Sequence, residues 1–230
     1  MDLYGQKGTC LPQKIIIHLI ELFFLWLSFW LLFQHGGDIF ANLLNIQNTI
    51  SDSGVRRKIL FGFNLITFFR FSYMMTFLLK RKIPWGEGLS VLFAFAIYYI
   101  GFSLFSISIT KPIGWLEYFA IVLFIVGCVL NSGGEILRNN WKTKPENKGK
   151  LYTGGFFKYS RHINYFGDIL WVTAYAIITG NIWALSIPLM LFCFFAFYNA
   201  PMLDNYLKEK YGKEFENYEA KTKMLIPFIY

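Results

Sequence analysis

The sequence predicts an all-α integral membrane protein with about six transmembrane helices. Of its 230 residues, 55% are hydrophobic, with 26 Phe and seven Trp, and the mean hydropathy is +0.42. A soluble core of this size cannot hide so much apolar side chain. The apolar residues also fall in runs near the roughly 17–25 residues that cross a bilayer as a helix. The formal net charge is +8. Its cations lie between the apolar runs, which suits lipid headgroups, topology signals or a phosphorylated cofactor and argues against nucleic acid as a partner.

The first span covers 15–33. Lys7 and Lys14 precede it, but it is too long for the core of a cleaved signal peptide, and no small-residue cleavage site follows. The second and third spans cover 59–79 and 89–109. The fourth, 115–130, is short and should continue as a helix past Asn131 into polar sequence. A turn at Lys111-Pro112 makes the third and fourth a hairpin. Gly180-Asn181 does the same for the fifth, 165–179, and the sixth, 182–197. Ala200-Pro201 predicts a break. Beyond it Leu203, Leu207, Tyr211, Phe215 and Tyr218 recur at helical spacing, interrupted by Gly212. This amphipathic segment should lie on the membrane surface or fold over the mouth of the bundle. No repeat or long linker divides the chain, so 1–230 reads as a single membrane domain.

Lys and Arg set the orientation. Seventeen lie in segments on the same side as both termini, and four (Arg56, Arg57, Lys58 and Lys111) lie opposite. The positive-inside rule therefore places both termini and the loop before residue 165 in the cytoplasm. Cys10, Cys128 and Cys193 have no metal or redox spacing, so neither a disulfide framework nor a metal site is expected.

Three polar groupings stand out. Asn131, Glu135, Arg138 and Lys142, at i, i+4, i+7 and i+11, form one stripe where the fourth span turns polar. The stripe could follow a ribose and its phosphates, or it could be a solvated face with a Glu135–Arg138 ion pair. The string from Gly154 to Asp168 places Arg161, His162, Asn164, Tyr165 and Asp168 at the mouth of the fifth span. Arg grips phosphate through two nitrogens and Asn can read an amide or ribose edge. Alternatively, Asp168 caps the helix and Arg161 and His162 meet headgroups. Inside the spans lie Glu21, one turn from His18; Arg70, one turn from Tyr73; and Tyr98 with Tyr99. Such groups face a bundle interior, where they act chemically or pair with one another, as Arg70 could with Glu21.

Together these residues resemble the membrane enzyme family of steroid 5α-reductases, sterol reductases and isoprenylcysteine carboxyl methyltransferases, in its bacterial 5α-reductase-like branch. The resemblance covers 131–230. It rests on Asn131 with Glu135-Ile136-Leu137-Arg138, on Arg161-His162-Ile163-Asn164-Tyr165-Phe166-Gly167-Asp168, and on Phe215-Glu216-Asn217-Tyr218 with Leu225-Ile226-Pro227-Phe228-Ile229-Tyr230. Asn164 with Asp168 is similar to the reductase form of the signature.

The resemblance implies NADPH bound at the cytoplasmic mouth by 131–230. It also implies hydride transfer to the C=C or enone of a steroid-like or other lipid substrate. Asn131, Glu135, Arg138, Lys142, Arg161, His162, Asn164, Tyr165, Asp168, Tyr211 and Tyr218 would bind the cofactor. The runner-up is a methyltransferase of the same fold using S-adenosylmethionine, and a third class is a lipid-binding protein without chemistry. Hydride addition needs a proton donor. The 5α-reductases carry a Gln-Glu pair in an early helix that this chain lacks, so Glu21, Arg70, Tyr73 and Tyr98 are the catalytic candidates on their own placement within the spans.

Overall fold

A computed structural model describes residues 8, 10–43, 45, 54–107, 109 and 111–230. Lys7, residue 108 of the third predicted span and the residue before Lys111 lie outside them. The elements are α1 (Leu11–Phe33), α2 (Gly36–Leu43), α3 (Val55–Leu78), α4 (Trp85–Ser106), α5 (Trp115–Lys142), α6 (Ile163–Thr179), α7 (Ile182–Tyr211) and α8 (Lys213–Glu219). Five of them, α1, α3, α4, α5 and α7, are long and apolar enough to cross a membrane. On each, an aromatic side chain leaves more than half its surface exposed: Trp26, Phe69, Phe93, Phe119 and Phe197. Outward apolar surface of this kind is what lipid solvates. The fifth predicted span is the 17-residue α6, about 26 Å long at 1.5 Å per residue. No residue of α6 is exposed, so it is an inner helix and not a lipid-facing one.

α3, α4, α5 and α7 each contain one π-helical turn, at Met74–Leu78, Ile97–Gly101, Val129–Gly133 and Phe195–Asn199. Such turns insert a residue and shift the phase of everything beyond them. The last one corrects the break expected at Ala200-Pro201: α7 runs on through Pro201 to Tyr211. The widened turn just before the proline accommodates its missing N–H and its ring. The amphipathic segment breaks instead at Gly212, which has φ +52°.

The chain divides into two compact units, Met1–Ala120 with Tyr175–Ala184, and Ile121–Ala174 with Leu185–Tyr230. In the first unit, α1 packs on α3 and α4. Arg56, counted as a loop cation in the sequence, is only 1% exposed. It donates to the Ile178 carbonyl at 2.5 Å, the Lys111 carbonyl at 3.0 Å and Glu117 Oε1 at 3.0 Å. One guanidinium thus ties together the start of α3, the start of α5 and the end of α6. Gly180, with φ +70°, closes the turn after α6 against it.

In the second unit α5 and α6 cross backbone to backbone. A Cβ on Gly127 would lie 2.7 Å from the Gly167 carbonyl, and one on Gly167 would lie 2.6 Å from the Asn131 nitrogen. The loop before α6 is zipped to the tail. Arg161 N–H donates to Lys223 O at 2.9 Å and His162 N–H to Met224 O at 3.0 Å, while the Ser160 hydroxyl bonds to Met224 O and Leu225 O.

Candidate functional site

The second unit gathers the cofactor candidates. The Gly127–Gly167 crossing brings the start of α6 against the polar end of α5. Asn131 Nδ2 donates to the Asn164 carbonyl at 3.2 Å, and Asn164 Nδ2 donates to Glu135 Oε1 at 3.0 Å. Arg138 pairs with the other oxygen, Glu135 Oε2. Asn164 therefore bridges two turns of α5, and the carboxylate of Glu135 is held by an amide and a guanidinium. Arg138 also lies over the Phe157 ring, 5.5 Å from its centre. One helical turn on, Lys142 Nζ sits 6.0 Å from the centre of the Tyr211 ring, and Lys210 Nζ sits 5.6 Å from the same ring. Two ammonium groups against one ring, with Arg138 a turn away, make a strongly positive rim.

Arg161 and His162 are occupied differently from the expectation that they grip a cofactor. Arg161 donates to Asp204 Oδ2 through Nε at 3.1 Å and Nη2 at 2.8 Å, and through Nη1 to Thr222 O at 2.5 Å and Glu219 O at 3.3 Å. Little of its five-proton fork is left for a phosphate. His162 Nε2 lies 2.8 Å from Asp204 Oδ1. Both side chains are buried, and together they tie the loop to α7 and the tail. Tyr165 is stacked between His162, at 5.2 Å, and Phe195, at 4.5 Å.

Asp168 lies in the second turn of α6, past the capping positions, and accepts from Trp171 Nε1 at 2.7 Å. Tyr218 is buried and donates to the Phe157 carbonyl at 2.5 Å, and burial holds its hydroxyl above the usual tyrosine pKa. It fixes the 155–158 turn. Of the predicted cofactor set, Asn131, Glu135, Arg138 and Asn164 form one network and Lys142 joins Tyr211. Arg161, His162, Tyr165 and Tyr218 serve as the frame around them.

The sequence reading missed Asp204. Its signal was legible: on the amphipathic segment it shares the face of Leu207 and Tyr211, an acid among apolar neighbours.

The first unit holds a separate buried polar group. Tyr99 donates to Glu21 Oε1 at 2.8 Å, and both residues have no exposed surface. Glu21 Oε2 is buried without a hydrogen-bond partner. From there a chain runs through Ser103, which donates to the Tyr99 carbonyl at 2.6 Å, to Ser28 at 2.8 Å and on to Asn64 Nδ2 at 2.7 Å. The catalytic candidates are thereby sorted. Glu21 belongs to this group. Tyr98 instead stacks with Phe102, 6.3 Å between ring centres, and Tyr73 is 45% exposed with its ring against Phe77. Of the two tyrosines named together in the sequence, Tyr99 is the one that meets Glu21; both lie in the π-helical turn at Ile97–Gly101.

Comparison with known proteins agrees with this architecture. The family described as "Protein of unknown function (DUF1295)" matches residues 64–222. A stretch of 90 residues is 37% identical to a protein named probable O-methyltransferase ustE of Ustilaginoidea virens, covering 39% of this chain and 32% of that protein. Protein-S-isoprenylcysteine O-methyltransferase B of Arabidopsis thaliana is 26% identical over 121 residues, 50% of this chain and 61% of that one. Human 3-oxo-5-alpha-steroid 4-dehydrogenase 2 is 29% identical over 123 residues, 52% of this chain and 46% of that one. The chain thus spans between a third and three fifths of the length of these relatives.

Proposed function

We propose, from the premise that this chain belongs to the DUF1295 family of steroid 5α-reductase-like membrane proteins, that it is an NADPH-dependent reductase acting on a lipid-like substrate. The observation that carries this reading is Asn164, hydrogen-bonded to both Asn131 and Glu135 with Arg138 on the same carboxylate. The residues suit a dinucleotide phosphate. Asn131 and Asn164 offer amides to a ribose or carboxamide. Arg138, Lys142 and Lys210 offer positive charge to phosphates, and an aromatic ring, Tyr211, lies beside them.

When bound, the cofactor supplies a hydride to one carbon of a C=C or enone bond. The chain must supply a proton to the other end of that bond. Tyr99 is the acid we assign to this step, with Glu21, to which it donates, as its partner. The Lys and Arg distribution supports a reading in which both termini and the cofactor residues are cytoplasmic.

Calorimetry on the detergent-solubilised protein tests the reading. NADPH should bind, and Arg138→Ala with Lys142→Ala should weaken that binding at least tenfold. Binding of S-adenosylmethionine without binding of NADPH would overturn it. The alternative, an S-adenosylmethionine-dependent methyltransferase of lipids or isoprenylcysteine, is favoured by one observation: the most identical of the reported matches, at 37%, is to a probable O-methyltransferase. In that case the Arg138 and Lys142 substitutions should have little effect, since no phosphate is held.

A further inference from the structure

A cleft of about 640 Å³ opens in the first unit beside the start of α1. That volume lies within the roughly 300–1,000 Å³ of small-molecule sites. One wall is a single face of α1: Leu11, Ile15 and Leu19, at i, i+4 and i+8, all exposed. Facing it are Thr76 and Leu79, at and just beyond the end of α3. The cleft therefore has an apolar trough about three helical turns long.

Its charged lining is Lys14, His18 and Lys80, with no Asp or Glu among the described residues that line it. Lys14 Nζ donates to the Leu79 carbonyl at 2.8 Å, which tethers the ammonium at the cleft and leaves two N–H groups. His18 Nδ1 lies 2.7 Å from the Lys14 carbonyl oxygen. A carbonyl can only accept, so the proton is on Nδ1 and Nε2 remains as the ring's second polar atom. None of these residues belongs to the candidate sites described above. They lie where one membrane helix begins and another ends, the level at which hydrocarbon gives way to headgroups.

An apolar trough capped by two lysines, with no acidic side chain among its described lining residues, fits an amphiphile with an anionic head. We propose that this cleft binds an anionic phospholipid, its phosphate at Lys14 and Lys80 and an acyl chain along Leu11, Ile15 and Leu19. The complementarity is specific in sign: a zwitterionic headgroup brings a cation that the two lysines repel. This site is independent of the proposed reduction and holds whichever cofactor the second unit binds.

Native mass spectrometry of the delipidated full chain tests it, with phosphatidylglycerol and phosphatidylcholine of matched acyl chains as probes. The wild type should retain phosphatidylglycerol in preference, and Lys14→Gln with Lys80→Gln should reduce that preference about tenfold. Because Lys14 also holds Leu79, Lys80→Gln alone is the second variant and should lose part of the preference with unchanged helical content. Lys221→Gln with Lys223→Gln, exposed lysines of the tail, should leave it intact. Ile15→Phe, which fills the trough, should weaken retention of both lipids. Equal retention of the two lipids by the wild type would overturn the proposal, as would indifference to the lysine substitutions. Insensitivity to Ile15→Phe would also overturn it, because the site would then hold a free anion and no lipid.

Discussion

Asp204 grips Arg161 through two guanidinium nitrogens, at 2.8 and 3.1 Å, with each side chain only 9% exposed. The pair joins α7 to the loop that precedes α6. Breaking a buried pair leaves an uncompensated charge, which costs about 3–5 kcal/mol. Asp204→Ala should therefore lower the unfolding temperature in detergent markedly. Arg161→Ala with Asp204→Ala should recover part of the loss. Hydrogen exchange should rise first at residues 160–162 and 222–225, whose backbones are zipped together.

Gly167→Ala should be damaging out of proportion to one methyl group. The new Cβ meets the Asn131 backbone nitrogen at 2.6 Å, and backbone cannot rotate away as a side chain would. Overpacking costs about 1–3 kcal/mol in ordinary cores. Here it also pushes Asn164 away from Asn131 and Glu135, so cofactor affinity should fall together with stability. Gly133→Ala is the control: its Cβ meets only side chains, the Phe156 ring at 3.4 Å and Val129 Cγ1 at 3.8 Å, and both binding and unfolding temperature should stay near wild type.

Asn164→Ala should separate binding from folding. It removes one side-chain hydrogen bond, to Glu135, worth about 0.5–1.5 kcal/mol, so unfolding should shift little. NADPH affinity, measured by calorimetry, should fall tenfold or more. Asn164→Asp should be worse, since a second carboxylate would then face Glu135.

Tyr99→Phe should leave NADPH binding unchanged and reduce turnover of a reducible lipid substrate by about 10²–10⁴, the usual contribution of a positioned general acid. Glu21→Gln should act in the same direction. Tyr98→Phe, which alters a ring stacked on Phe102, should remain close to wild type in single-turnover kinetics. Equal losses at Tyr98 and Tyr99 would argue that the substitutions act through packing alone.

Much of the fold was legible because hydrophobic length is a one-dimensional property. Among the described residues each of the six predicted apolar runs falls largely on a helix, five of them long and apolar enough to cross a membrane, and the stripe at Asn131, Glu135, Arg138 and Lys142 lies on the continuous helix expected of it. What was hidden depended on phase and on distant partners. Tyr98 and Tyr99 both lie in the π-helical turn at Ile97–Gly101, which no 3.6-residue wheel contains, and only the partner Glu21, 78 residues away, distinguishes Tyr99. Pro201 read as a stop because the turn that accommodates it is invisible in composition. Arg56 looked like an orientation signal, whereas its partners Lys111, Glu117 and Ile178 lie 55, 61 and 122 residues away. Arg161 and His162 carried the chemistry of ligand binding in the sequence, but Asp204 had to be placed beside them before their occupation could be seen.

The serine chain beside Tyr99 ends on that residue's backbone carbonyl and not on its hydroxyl. Each serine has a single hydroxyl proton. That of Ser103 goes to the Tyr99 carbonyl, so that of Ser28 goes to Ser103, and the Asn64 amide heads the row. Conduction along such a row requires every hydroxyl to turn over and a titratable group to feed its far end. The far end here is a carboxamide, which neither gains nor releases a proton near neutral pH. Electrically the row is an insulator with a fixed polarity. The Tyr99 hydroxyl is held instead by Glu21, whose second oxygen is buried without a hydrogen-bond partner among the described residues.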